Sequence, residues 1–168
     1  AMGNGKGGAW GLAKNGAYVV LADISPQVFD AAQELVDAGY QASAVQVDVS
    51  DMAAVQKAVD EIVEKQGKID ILFNNAGVIR LFLFEEMTDE TRDFHFNVNI
   101  NGVWNCAKAV WHYMLKQKYG KIVNMSSVTG PMVVDMGETA YATTKAAIWG
   151  FTKALAYEGG PHNITANM

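Results

Sequence analysis

Apolar residues occur along the chain with two periods, one typical of strands and one typical of helices. Short β-branched, apolar runs predict buried strands, and these runs are 17–23, 41–47, 69–73, 121–125 and a last one that starts at 163. Between them, apolar residues recur at helical spacing and predict helices at about 25–38, 50–67, 88–117 and 139–158. Strands that alternate with helices indicate a parallel sheet with right-handed crossovers. The pattern predicts an α/β fold with a doubly wound parallel sheet of the Rossmann type.

Residues with cap and turn preferences mark the ends of these helices. Ser25 is a good N-cap and Pro26 suits a first turn, whereas Gly39 is a C-terminal stop. Ser50 is the predicted N-cap of the next helix, which Gly67 ends.

Composition indicates one globular domain and excludes several kinds of partner. Half of the 168 residues are hydrophobic and 18% are charged, which suits a single domain, 1–168, with its own core. The net charge of −5 argues against nucleic acid, which binds to a basic face. The glycine-rich start lacks the apolar core of a signal peptide, and no apolar run approaches the roughly 20 residues that span a bilayer. A cytoplasmic location without membrane contact is expected.

Metal and thiol chemistry are not expected. Cys106 is the one cysteine, so an intrachain disulfide and a thiolate metal cluster are excluded. His95, His112 and His162 have no metal-ligand spacing, and we expect structural or surface roles for them.

Small and acidic residues lie near the ends of the predicted strands, where an open parallel sheet binds ligands. Gly3-Asn-Gly5 leads through a short helical segment to the strand that ends at Asp23, whose carboxylate can accept bonds from adenosine ribose hydroxyls. This carboxylate would repel a 2′-phosphate, so NAD is expected and NADP is less favoured. Asp48 closes the next strand and could bond the adenine amino group. The turn 74–77 closes the third, where glycine lets the backbone approach a flat cofactor.

Each of these features also has a plainer interpretation. The first glycines could belong to a flexible tail, Asp48 could be only a helix N-cap, and 74–77 could be only a turn. Their regular placement at successive strand ends favours a cofactor site. The expected cofactor-binding residues are Gly3, Gly5, Asp23, Ile24, Asp48, Val49, Asn75, Ala76, Gly77, Tyr141 and Lys145.

A phenol and an amine lie one helical turn apart near the start of the helix 139–158. Tyr141 and Lys145 share one face of this helix, and an ammonium near a phenol favours the phenolate. Tyr141 could then exchange a proton with a substrate oxygen while a nicotinamide handles the hydride. Ser127, at the end of the fourth strand, could hold that oxygen in place. The alternative is an ordinary surface pair on a helix, which the strand-end serine and the cofactor features make less favoured.

The long helix contains residues that form helix poorly. Asn97, Asn99, Asn101 and Gly102 predict a kink. The kink could be only structural, or it could aim a carbonyl or side chain of Asn99 at a water near Lys145 and extend a proton path.

Together these motifs resemble the single-domain branch of the short-chain dehydrogenase/reductase family. The segments 74–77 (Asn-Asn-Ala-Gly) and 99–102 (Asn-x-x-Gly), Ser127 and 141–145 (Tyr-x-x-x-Lys) follow the order of the family. The resemblance implies an NAD(P)-dependent oxidoreductase acting on a small alcohol or carbonyl substrate. It assigns the acid/base role to Tyr141 and substrate positioning to Ser127. It also implies that Lys145 bonds the nicotinamide ribose, that Asn99 completes a catalytic tetrad, and that the two long helices form a homodimer or homotetramer.

The ends of the chain depart from the family pattern. The family glycine motif, Thr-Gly-x-x-x-Gly-x-Gly, aligns its last two glycines with Gly3 and Gly5, so its opening Thr-Gly and the preceding strand would lie before Ala1. The chain also stops before the Pro-Gly turn and last strand of the family. We therefore expect an incomplete fold, without the first strand and the C-terminal strands, in a fragment or damaged gene product.

Two other functions remain open at this point. The chain could be a catalytically inactive fragment or relative that acts as a binding or assembly module. It could also resemble a sugar-nucleotide epimerase, which can share Tyr-x-x-x-Lys and a Rossmann sheet, although 74–77 and the lack of a substrate domain argue against this.

Overall fold

Helices and strands alternate in the computed structural model, which describes residues 3–168. In chain order the elements are α1 Asn4–Lys14, β1 Val19–Asp23, α2 Val28–Asp37, β2 Ala42–Gln46, α3 Met52–Gln66, β3 Ile71–Asn74, α4 Asp89–Phe96, α5 Gly102–Gln117, β4 Gly120–Asn124, α6 Thr139–Gly159 and β5 Ile164–Asn167. Each predicted strand is present, and short 3₁₀ turns lie at Phe84–Glu86 and Gly160–His162. No helix among residues 3–168 has the length and apolar character to span a membrane.

All strand pairs are parallel, but the strands form two separate sheets. One sheet contains β1 and β2, and the other has the order β3-β4-β5. Within residues 3–168, no ladder joins β1 to β3. The predicted parallel α/β architecture is confirmed, and so is its predicted incompleteness, which takes the form of this gap between the sheets.

Each sheet has a hydrophobic core of its own. The β1–β2 sheet is covered by α1 and α2, with Val28 and Leu35 fully buried. The three-stranded sheet packs with α3, α5 and α6, around Met114, Ile122 and Ile164. Full burial of one such side chain stabilises a fold by about 1.5–3 kcal/mol, so both cores contribute substantially.

Two of the predicted helix N-caps are wrong, by two residues for α2 and by one residue for α3. Ser25 forms a turn in which its Oγ accepts from Gln27 N at 3.3 Å, and α2 begins only at Val28. Ser50 is not the cap of α3, because Asp51 accepts through Oδ1 from the amides of residues 53 and 54 at 2.9 and 3.1 Å. The Asp51 carboxylate is therefore the cap, and the Ser50 hydroxyl instead donates to Asp48 Oδ1 at 2.7 Å.

The predicted long helix 88–117 is interrupted as expected from its Asn residues. Thr88 caps α4, and a π-helical turn, Asn97–Asn101, separates α4 from α5. A π turn widens the helix and redirects the side chains within it. Gly102 then lets α5 approach the loop after β2, since a Cβ there would lie 2.6 Å from Val49 Cγ2.

Candidate active site

A cavity of about 360 Å³ opens at the carboxyl ends of β3 and β4. This edge is where open parallel sheets bind ligands. The cavity is lined by Asn4, Asn75, Gly77, Val78, Ile79, Met125, Ser126, Ser127, Tyr141 and Lys145. Ser127, Tyr141 and Lys145, which the sequence places on two different elements, thus share one cavity.

The Lys145 side chain is held near the Tyr141 ring by a hydrogen bond to the backbone that follows β4. Its Nζ donates to the carbonyl oxygen of Met125 at 2.7 Å and lies 5.6 Å from the centre of the Tyr141 ring. Burial lowers the pKa of the Lys145 ammonium, because desolvation disfavours its charged form. The amine is therefore fixed in place beside the phenol.

Two serines after β4 have different contacts. Ser127 Oγ accepts from Thr129 N at 3.1 Å, which orders the start of the loop and keeps the hydroxyl at the cavity. Ser126 Oγ donates to the carbonyl oxygen of Lys145 at 3.0 Å and ties the strand end to α6. Sequence reasoning missed Ser126, because its partner lies on a distant element.

Gly130 brings the same loop into contact with the backbone of α6. Its φ is +97°, and a Cβ on it would lie 2.2 Å from the carbonyl oxygen of Ala142. Only glycine fits this close approach at this dihedral angle. The loop that carries Ser127 is therefore packed directly on the helix turn that carries Tyr141.

Asn99 lies in the π turn, with its side chain fully buried. Its Oδ1 accepts from Val78 N at 2.7 Å, and its Nδ2 donates to Val78 O and Thr144 Oγ1 at 2.9 and 3.0 Å. The side chain thus connects α6 to the loop after β3, and the predicted water path to Lys145 stays a prediction.

A buried chain of amides lies below the cavity. Asn74 Nδ2 donates to Asn124 Oδ1 at 2.9 Å, and Asn124 Nδ2 donates to Thr152 Oγ1 at 2.9 Å. The Thr152 hydroxyl in turn donates to the carbonyl oxygen of Ile148. These side chains form a buried amide ladder that joins β3, β4 and α6. In the sequence, it was indicated only by Asn124, a polar residue inside the apolar run 121–125.

The N-terminus of α1 lies beside the cavity. A Cβ on Gly5 would come within 2.7 Å of Asn75 Nδ2, so glycine permits this contact. Gly3 precedes the helix with φ +68°, and Asn4 lines the cavity. The predicted residues Gly3, Gly5 and Asn75 are therefore close together. Gly8, inside α1, faces the Phe73 ring, and a Cβ on it would lie 2.5 Å from Phe73 Cε1, so this position of the helix requires glycine.

The remaining predicted cofactor residues lie at the ends of β1, β2 and β3. Asp23 Oδ1 accepts from Ser25 N at 2.9 Å, and Ile24 beside it is 64% exposed. Asp48 Oδ1 accepts hydrogen bonds from the backbone N–H and the hydroxyl of Ser50, and Val49 packs against Gly102 of α5. None of these four lines the Tyr141 cavity, whereas Gly77 does and Ala76 adjoins it on an exposed turn.

Comparisons with known proteins agree with this geometry. The family model for short chain dehydrogenases matches residues 1–168, and the chain belongs to this family. Oxidoreductase UcpA of Escherichia coli K12 is 53% identical over 166 residues, which cover 99% of this chain and 63% of the relative. A 3-oxoacyl-[acyl-carrier-protein] reductase, FabG of Thermotoga maritima, is 38% identical over 168 residues and is covered to 68% of its length.

Solved structures show the same fold. A short chain dehydrogenase from Mycobacterium smegmatis superposes with a TM-score of 0.95 at 30% identity, over 99% of this chain and 70% of that one. A gluconate 5-dehydrogenase from Burkholderia cenocepacia, solved with NADP and tartrate, has a TM-score of 0.90 at 34% identity, over 95% and 62%. The resemblance predicted from the motifs is confirmed, and the chain spans 63% of the length of UcpA.

Proposed function

We propose that this chain carries the acid–base centre and much of the dinucleotide site of an NAD-dependent alcohol dehydrogenase or carbonyl reductase. The observation that supports this is the shared cavity of Tyr141, Ser127 and Lys145 at the edge of a parallel sheet. The bound nicotinamide would donate or accept the hydride at the substrate carbon. The protein's own residues act on the substrate oxygen.

In carbonyl reduction, the Tyr141 hydroxyl gives its proton to the substrate oxygen, and in alcohol oxidation the phenolate takes the proton back. Ser127 lies in the same cavity and donates a hydrogen bond to that oxygen. Lys145 Nζ lies 5.6 Å from the Tyr141 ring centre and would assist Tyr141 in the proton transfer. Asn99 would complete the catalytic set, its backbone carbonyl holding a water that supplies protons to Lys145.

The described residues fit a dinucleotide. Because Gly5 has no side chain, the N-terminus of α1 lies close to Asn75. The free amides and the dipole of this helix end would favour the phosphate oxygens of the cofactor. Asp23 and Asp48, with Ile24 and Val49, would hold the adenosine half, and Asn75, Ala76 and Gly77 would flank the nicotinamide half. Lys145 would bond the nicotinamide ribose.

Substitution of Tyr141 tests the reaction. The turnover of small ketones is followed by the absorbance of NADH. The binding of NADH is followed by the quenching of tryptophan fluorescence. Tyr141→Phe should lower kcat by about 100-fold to 10,000-fold, since general acid–base catalysis contributes that much, and NADH binding should change far less than kcat. Tyr157→Phe is the matched control, because Tyr157 lies on the same helix and is 88% exposed.

The outcomes separate the candidate functions. A Tyr141→Phe variant as active as the Tyr157→Phe control would refute the proposed chemistry. A chain that binds NADH but reduces no ketone would instead support an inactive relative that acts as a binding module.

Assembly is proposed to use the outer faces of α4–α5 and α6. Trp104 is 55% exposed and stacks on Phe151 with ring centres 4.9 Å apart, so aromatic surface from both helices faces outward. We expect a dimer or tetramer by sedimentation velocity, and a monomer at micromolar concentration would contradict this.

A further inference from the structure

A buried histidine that the proposed reaction does not use joins α4 to the cavity wall. His95 is 0% exposed; its Nε2 lies 2.9 Å from Arg80 N and its Nδ1 lies 2.7 Å from Thr91 O. A backbone N–H only donates and a carbonyl only accepts, so Nε2 accepts and Nδ1 carries the hydrogen. The ring is therefore neutral and held in one tautomer.

His95 acts on the same loop as Asn99. Asn99 bonds both backbone groups of Val78, and His95 bonds the amide of Arg80. These two side chains lie about one turn apart on the same helical segment and hold alternate residues of the loop. Ile79 lies between Val78 and Arg80 in the chain and lines the cavity, so its position depends on both contacts.

The side chain of Arg80 strengthens this attachment. Its guanidinium carbon lies 4.1 Å from the centre of the Phe94 ring, next to His95 on α4. Arg80 is thus fixed to α4 by two contacts that do not involve α6, which carries Tyr141 and Lys145.

We propose that His95 is a positioning residue for the substrate wall of the cavity. As a neutral acceptor it fixes the amide of Arg80, and this sets the position of Ile79 in the cavity lining that it shares with Ser127 and Tyr141. Loss of the acceptor loosens residues 79 and 80 at one side of the cavity, while Phe82 N still donates to Gly137 O at 3.1 Å, and it leaves the acid–base pair in place. Only the kinetic part of this proposal rests on the proposed function.

Two substitutions separate the two nitrogens. In His95→Gln the amide oxygen comes to the position of Nε2 and can still accept from Arg80 N. In His95→Asn the amide nitrogen comes to the position of Nδ1 and can still donate to Thr91 O, but the acceptor is lost. Each variant keeps one of two hydrogen bonds, so a merely structural role predicts a similar loss of stability in both.

Hydrogen exchange of the loop amides is the decisive measurement. The Arg80 amide should exchange about ten-fold faster in His95→Asn than in the wild type, the factor expected from one lost hydrogen bond, and His95→Gln should restore it. Nitrogen chemical shifts of the wild-type ring should show a hydrogen on Nδ1 only at pH 7. Equal exchange in the two variants, or a hydrogen on Nε2, would overturn the proposal.

The kinetic measurement uses a ketone that the wild type reduces with NADH. His95→Asn should raise KM for the ketone about ten-fold with a smaller change in kcat, and His95→Gln should restore KM. A fall in kcat at constant KM would contradict positioning of the substrate wall. If the wild type reduces no ketone, the proposed function fails, and the exchange and tautomer measurements still decide the role of His95.

Discussion

Gly130 offers a quantitative test of how the serine loop is held on α6. In Gly130→Ala, the new Cβ would lie 2.2 Å from the carbonyl oxygen of Ala142, whereas ordinary contact begins at 3.4 Å. Loop or helix must therefore move by about 1 Å, and overpacking of this kind costs about 1–3 kcal/mol. The dihedral angle adds about 1–2 kcal/mol, because φ is +97°. We expect a loss of about 3–4 kcal/mol in the free energy of unfolding.

Two other glycines separate these contributions. Gly39 has φ +87°, but a Cβ added there would meet nothing within 4 Å, so Gly39→Ala should lose only about 1 kcal/mol. Gly11 lies inside α1 with open space around it, so Gly11→Ala should gain about 0.5–1 kcal/mol. The three substitutions thus isolate the clash, the dihedral angle and the helix propensity.

Urea unfolding followed by the fluorescence of the four tryptophans gives the three free energies. The order of stability should be Gly11→Ala, wild type, Gly39→Ala and Gly130→Ala. If Gly130→Ala were no less stable than Gly39→Ala, the inferred contact with the backbone of α6 would be wrong.

Three further predictions concern the cofactor, a helix cap and the thiol. NADH should bind more tightly than NADPH, and Asp23→Ala should reduce this preference; tighter NADPH binding to the wild type by fluorescence titration would refute it. Asp51→Ala should lower the free energy of urea unfolding by about 1 kcal/mol through the lost cap of α3, and Ser50→Ala by less, whereas the reverse order would restore Ser50 as the cap. Burial raises the pKa of the half-buried Cys106 thiol to about 11, so a disulfide reagent at pH 8 should label this thiol much more slowly in the folded chain than after unfolding. Since the unfolded thiol ionises first, this group should also make stability fall as pH rises from 9 to 11, and rapid labelling of the native chain would contradict both statements.

The sequence predicts well what depends on local period and spacing. Strand and helix order followed from the apolar pattern, and the placement of Tyr141 and Lys145 on one helix face followed from their spacing. The incompleteness of the sheet also followed, because the glycine motif aligns only in part with the family.

Contacts between distant elements could not be predicted from the sequence. The hydrogen bond of Ser126 to Lys145, the packing of Gly130 on Ala142 and the attachment of Asn99 to Val78 each join residues far apart in the chain. The cap of α3 was misplaced for a different reason, since Ser50 and Asp51 are both good caps and only geometry chooses between them.

The buried amide ladder has a consequence for strand alignment. Asn74 pairs with Asn124 across β3 and β4, and a slip by two residues would keep every side chain on its face but place Asn124 opposite Leu72. A buried amide without its partner costs about 1–3 kcal/mol, and the shift would carry Ser127 about 6.6 Å from its place. Two asparagines in an otherwise apolar pair of strands, bonded to Thr152 of α6, therefore specify one alignment of the strands, and with it the distance between Ser127 and Tyr141.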